Sequence, residues 1–285
     1  MRERLVSSSR SLAIRILAAG MLAAPLAGCA AWSDDDTYKP VAQDPADLLY
    51  NQGLVALKNG DYSKAAKRFD MVDRSYPGTD WSRKGVLMNA FANYKGANYD
   101  DAISSAQRYV ALYPQTPDAA YAAYIYASSN YAQIPDITRD QERTMKALGA
   151  FEEIVKRWPK SEYAEDAKFK IQVTKDQLAG KEMDIGRFYL NQKNYAAATN
   201  RFKIVVAQFQ QTRHIEEALS RLAECYMALG VSTEAQTAAA ILGHNYPDSP
   251  WYKDAYTLVK SNGLEPREDE GSWISRTFRN VISTH

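Results

Sequence analysis

Cysteine and histidine are scarce in this sequence. There are two cysteines, Cys29 and Cys225, and three histidines, His214, His244 and His285. Two thiols allow at most one disulfide and exclude a multi-cysteine zinc site. The histidines are too dispersed to suggest a metal cluster, so no metal or cofactor is expected. No Gly-rich phosphate loop, Gly-x-Ser-x-Gly or His-Glu-x-x-His motif occurs. An enzyme needs a constellation that the chain does not show. Over 285 residues, 35 Lys and Arg balance 34 Asp and Glu, for a net charge of +1. That balance lacks the broad basic footprint of a nucleic-acid binder, and no nucleic acid is expected as a partner.

One thiol is placed for another kind of chemistry. Cys29 closes the run Leu26-Ala27-Gly28-Cys29, which resembles the bacterial lipobox. The small residues let an extended strand enter a peptidase cleft, and the thiol accepts the lipid. Upstream, Arg2, Arg4, Arg10 and Arg15 form a positive head before the uncharged run Ile16–Gly28. That run is too short for a helix across a bilayer core, so residues 1–28 read as an export signal. The bland alternative is an ordinary secretory signal that happens to contain a cysteine. On the lipobox reading the mature chain begins at Cys29, carrying N-palmitoyl and S-diacylglycerol groups. Ala30 follows; in similar lipoproteins an Asp there retains the protein in the inner membrane, so Ala implies passage to the outer one. A lipidated Cys29 cannot pair with Cys225, which is expected to be a buried structural thiol. Residues 29–45, with Asp34-Asp35-Asp36 and two prolines, read as a solvated tether that sets reach.

What positions everything beyond the tether is a repeat. Tyr76-Pro77, Tyr113-Pro114, Trp158-Pro159 and Tyr246-Pro247 recur, and Phe209-Gln210 stands where a fifth such dipeptide should fall. Small residues stand 24 before four of these marks (Gly53, Ala90, Gly186, Ala223) and 12 before (Ala65, Ala102, Ala198, Ala235). Eight before are Phe69, Ala106, Phe202 and Ala239. This resembles the tetratricopeptide pattern of paired antiparallel helices packed through small residues. The fold class expected is all-α, a solenoid of about five helix pairs over 46–260. Single pairs are too short to be stable alone and must stack. Gly60-Asp61, Lys95-Gly96, Gln192-Lys193-Asn194 and Leu229-Gly230 mark the turns inside pairs. Repeat three is eight residues longer, and the excess falls in the loop Gln133–Asp140. Repeat four carries 14 extra residues in a segment free of proline, which predicts a lengthened first helix. Tyr121, Tyr124, Tyr126 and Tyr131 cannot all face one way on a helix, so some should line a surface or groove. Residues 261–285 read as a polar linker and a short amphipathic helix bearing Trp273, Ile274 and Phe278. That helix either caps the last repeat or meets a partner or membrane surface.

The lipobox, the acidic tether and five repeats with a long third loop resemble the BamD family, tetratricopeptide lipoproteins of the outer-membrane β-barrel assembly machine. Further likenesses are Asp44–Tyr50 at the entry to repeat one, Thr138-Arg139-Asp140-Gln141 in the long loop, Tyr163–Leu178 in the long helix and Asn194–Phe202 in repeat four. A single Asp-Pro replaces the double Pro of many relatives, and the tail after Gly263 is longer. The resemblance implies a non-catalytic, lipid-anchored subunit on the periplasmic face of the outer membrane. Its partners would be the periplasmic domains of the barrel-forming subunit, other lipoproteins of the complex and unfolded outer-membrane proteins. The first two repeats would receive unfolded substrate and the last repeats would dock the barrel-forming subunit. Arg201 matches the family's docking arginine, and Arg139 and Asp140 its Arg-Asp loop. A generic repeat scaffold organising cell-wall enzymes shares the lipobox and the repeat, but not that loop.

Overall fold

A computed structural model describes residues 44–282. The export signal, Cys29 and the tether up to Gln43 lie outside the described residues. Among the described residues there are twelve helices and no strand. Five antiparallel pairs follow in order: α1 (Ala46–Lys58) with α2 (Tyr62–Ser75), α3 (Asp80–Lys95) with α4 (Tyr99–Leu112), and α5 (Ala119–Tyr131) with α6 (Glu142–Arg157). Next come α7 (Ala164–Asn191) with α8 (Tyr195–Gln208), and α9 (Ile215–Ala228) with α10 (Ser232–Asn245). Two further helices, α11 (Pro250–Ser261) and α12 (Trp273–Ile282), complete the chain. The α7 helix has 28 residues against 14 in α9, so the insertion in repeat four is helix. The excess in repeat three is the loop between α5 and α6.

The turn inside four of the pairs is the same object. Each first helix ends on a left-handed residue: Gly60, Ala97, Lys193 and Gly230, with φ of 76°, 58°, 59° and 75°. The next residue's N–H then bonds five residues back, as Asp61 to Ala56 O and Asn194 to Tyr189 O, both at 2.9 Å. This double closure satisfies carbonyls that the helix end leaves open. Repeat two differs from the sequence reading here. Its left-handed residue is Ala97, one past Gly96. Gly96 is small for another reason, because a Cβ there would lie 3.0 Å from the Cβ of Tyr62.

The dipeptide marks end each second helix. Tyr76, Tyr113, Trp158, Phe209 and Tyr246 all adopt φ near −130° and each bonds its N–H to the residue four back. A following proline disfavours helix at the preceding residue. Phe209 adopts the same conformation before Gln210, so packing imposes the stop and proline only agrees with it. Gln210 makes no hydrogen bond through its N–H, and its buried side-chain amide has no partner. We expect Gln210→Pro to stabilise the chain by about 0.5–1 kcal/mol, by restricting the unfolded state and removing an unsatisfied amide. A denaturant melt measures it; a loss of stability would mean that the backbone at 210 differs from its four equivalents.

Between paired helices the small residues set the distance. A Cβ on Gly53 would lie 2.6 Å from Cε1 of Phe69, and one on Gly186 2.4 Å from Cε1 of Phe202. Both rings are fully buried. Where the first helix carries Ala instead, at Ala90 and Ala223, the second carries Ala106 and Ala239. Each of the four regular repeats therefore pairs Gly with Phe or Ala with Ala. The enlarged repeat three sets Ala127 with Phe151 in one cluster.

At the C-terminal end α11 packs on α9 and α10, and the chain returns along α10. Gln236 donates to Glu265 O at 2.7 Å and Ser272 donates to Glu234 at 2.5 Å. Ile274 and Phe278 of α12 enter the same core cluster as Phe202 and Leu242, while Trp273 donates from Nε1 to the Tyr226 hydroxyl at 3.0 Å. Of the two sequence-level alternatives for this helix, the packing matches a cap on repeats four and five. Cys225 is fully buried, and burial pushes its thiol pKa up to about 11, which makes it inert at neutral pH.

Candidate functional site

A cleft of about 790 Å³ opens between the long loop of repeat three and helices α6, α7 and α8. Met145 and Leu148 of α6, Leu178 and Ile185 of α7, and Ile204 of α8 give it an apolar lining. Arg139 and Asp140 stand at its edge from the loop, and Lys175, Lys181 and Glu182 from α7. The insertion that lengthens α7 and the one that lengthens the loop therefore frame a single hollow.

The loop is a built structure. Asp140 Oδ1 accepts from the N–H of Glu142, the first residue of α6, at 2.8 Å. Buried Gln141 donates to the carbonyls of Asp136 and Arg139, and its own carbonyl accepts from Thr144. Two residues of α7 then fasten the loop: Gln177 donates to Pro135 O at 3.0 Å, and Lys181 to Thr138 O at 2.9 Å. The Arg139 side chain is left exposed at the rim.

Arg201 reaches the cleft through a partner. Its Nη1 lies 3.2 Å from Oε2 of Glu182, with side-chain exposures of 38% and 20%. Arg201 is half-exposed and turned onto the cleft-lining Glu182. The three residues named from sequence thus gather around one hollow, two directly and one through Glu182. Lys181, Glu182 and Gln177 are not singled out by sequence pattern. The register that sets Gly186 against Phe202 also brings position 182 near 201, which is the signal that would have found Glu182.

A second surface is aromatic. Phe91 of α3 lies 6.3 Å from Tyr121 of α5; Tyr163, just before α7, stacks on Tyr121 at 5.3 Å and on Tyr124 at 5.0 Å. Lys170 sits 5.7 Å from the rings of both Tyr124 and Tyr131. All of these tyrosines are half-buried. Desolvation pushes the Tyr121 hydroxyl up to about 12, so the ladder stays neutral. Burial alone would raise the Asp166 pKa, but hydrogen bonds from Lys170 and Tyr124 outweigh it and hold the group below its usual range. The tyrosines expected to line a surface do so from repeat three, joined by Phe91 of repeat two and by Tyr163. On repeat one there is a smaller hollow of about 430 Å³, with Leu48, Val55, Lys64 and Arg68.

His214 begins α9 and lies against α7, its Nε2 3.8 Å from Asp176. Burial lowers its pKa below 6.5, outweighing Asp176 and Glu217 and reinforced by Arg213 and Arg187. The unfolded chain then binds a proton that the folded chain resists, so stability falls as pH drops through 6.5. We expect the urea midpoint to fall between pH 7.5 and 5.5, and to fall less in His214→Gln. An equal fall in both would remove His214 as the cause.

Paired antiparallel helices packed through small-residue seams define a tetratricopeptide-type repeat protein. Residues 42–242 match the model of the YfiO family, described as an outer membrane lipoprotein. The chain is 44% identical over 250 residues to the outer membrane protein assembly factor BamD of Caulobacter vibrioides, covering 88% of this chain and 82% of that one. Identity to the BamD of Rickettsia prowazekii is 41% over 237 residues, covering 83% and 92%. Among solved structures, the TPR domain of P58(IPK) is similar over 84% of this chain and 65% of that one, at 16% identity and a TM-score of 0.39. The chain belongs to the BamD family of outer-membrane protein assembly factors. No helix among the described residues is long and apolar enough to cross a membrane.

Proposed function

We propose that this chain is the non-catalytic, lipid-anchored subunit that holds an unfolded outer-membrane protein on one face and the barrel-forming subunit of the assembly machine on another. The anchor is Cys29, with N-palmitoyl and S-diacylglycerol groups, and the site of action is the periplasmic face of the outer membrane, beside other lipoproteins of the complex. The barrel-forming subunit docks through its periplasmic domains at the cleft edged by Arg139, Asp140 and the Glu182–Arg201 pair. The observation that carries this is the convergence of those residues on a single hollow with an apolar lining and a charged rim, in a chain of this family. Interfaces of that make-up combine desolvated apolar anchors with polar register.

The aromatic ladder of repeats two and three suits the other partner. Strands of outer-membrane barrels alternate apolar and polar residues and carry aromatic girdles. An unfolded strand of that kind stacks its rings on Tyr121, Tyr124 and Tyr163. Arg139→Glu tests the docking face. The side chain is exposed, so melting should move by no more than about 0.5 kcal/mol. Recovery of the barrel-forming subunit with the tagged chain should fall about tenfold, the direction set by losing a rim charge and adding its opposite. Full recovery would remove the loop from the docking face.

A further inference from the structure

Arg201 presents five N–H donors in a fixed fork, and the only acceptor on them among the described residues is Glu182. The guanidinium is the more exposed member of the pair, and Glu182 lines the cleft. A carboxylate that arrives on the solvent side of the pair finds the remaining N–H groups of Arg201 open. It then either shares the fork with Glu182, which sets two like charges a few ångströms apart, or takes its place. Like charges at that separation disfavour sharing. We propose that Glu182 is an internal competitor for Arg201: the free protein holds its docking arginine neutralised, and the partner's carboxylate binds by exchanging with Glu182. This rests on the docking role of Arg201 proposed above and names what regulates it.

Exchange has consequences that a fixed supporting contact does not. One ion pair is lost for each one gained, so net charge pairing changes little on docking. The partner must supply both a carboxylate and apolar contacts that fill the cleft, since the carboxylate alone gains almost nothing over Glu182. A small anion or an acidic peptide without the apolar part is therefore refused. Glu182 acts as a specificity determinant.

The test uses the lipidated full-length chain in detergent, titrated with the purified periplasmic domains of the barrel-forming subunit. Glu182→Gln keeps the shape and one acceptor but removes the competing charge. It should bind about two- to fivefold tighter than the parent, the range that a partly exposed ion pair is worth. Its affinity should also fall more steeply with added salt, because docking now creates a net new pair. In an Arg201→Gln background the same substitution should no longer steepen the salt dependence, because no guanidinium is left to pair. Equal or weaker binding by Glu182→Gln, with Arg201→Gln still impaired, would show that Glu182 only steadies Arg201 and would overturn the exchange. Unimpaired binding by Arg201→Gln would instead overturn the docking role of Arg201 itself. Thermal melts of each variant identify any that bind poorly because they unfold.

Discussion

Gly186→Ala is expected to destabilise the parent chain by up to about 2 kcal/mol, the overpacking cost less the helix gain of Ala, yet to stabilise the Phe202→Ala chain. In the parent the added methyl sits 2.4 Å from a ring carbon of Phe202, and that ring is fully buried and cannot swing away. Overpacking therefore exceeds the roughly 1 kcal/mol that Ala gains over Gly inside a helix. Phe202→Ala alone should cost about 3–5 kcal/mol, from lost burial and the cavity left behind. In that cavity the alanine at 186 has room, and its helix preference acts unopposed. The double variant then has the Ala–Ala pair that repeats two and five already use at Ala90 with Ala106 and Ala223 with Ala239. A chemical-denaturation cycle over the four chains measures the coupling. Additive effects would mean that α7 and α8 are not held apart by this contact.

Arg201→Glu is expected to keep the fold and lose the barrel-forming subunit. The substitution replaces a pair at 3.2 Å with two carboxylates on a half-exposed surface. Repulsion there should cost at most about 1 kcal/mol, because solvent screens it. Docking should weaken by at least about thirtyfold, the equivalent of 2 kcal/mol, since a contact carboxylate now meets its own charge in place of a guanidinium fork. Co-purification from detergent extracts, beside a thermal melt, separates the outcomes. Normal recovery would exclude Arg201 from the interface, and a collapsed melt would make it a structural residue.

The helix pairs were legible because their signals are local and repeated. Tyr-Pro and Trp-Pro stops, a glycine or polar turn and small residues at fixed offsets all recur within one short window. Phe209-Gln210 shows the limit of such punctuation: the stop persists without proline because neighbouring helices impose it. Ala97 and Lys193 show another limit. They take left-handed conformations that sequence preference assigns to glycine, because the double hydrogen bond and the packed helix pair hold them there. The long loop was recognisable by counting, but its shape depends on Gln177 and Lys181, some forty residues further along the chain. Arg139 and Asp140 could be named from the loop itself. Glu182 could not, since nothing in its local context separates it from other helix-surface carboxylates; only the register of α7 against α8 assigns its partner. The seat of α12 was equally hidden, because an amphipathic stripe states that a face is buried and leaves open against what.

The protein that touches Met145, a cleft residue on α6 with 56% of its surface exposed, is the one docked there. A photo-activated crosslinking amino acid at position 145, illuminated in living cells, reports its neighbour directly, and the same probe at Tyr121 reports on the aromatic face. The expected result is an adduct with the barrel-forming subunit from position 145 and adducts with unfolded outer-membrane proteins from position 121. Capture of the barrel-forming subunit at 121 and not at 145 would contradict the assignment of the two faces.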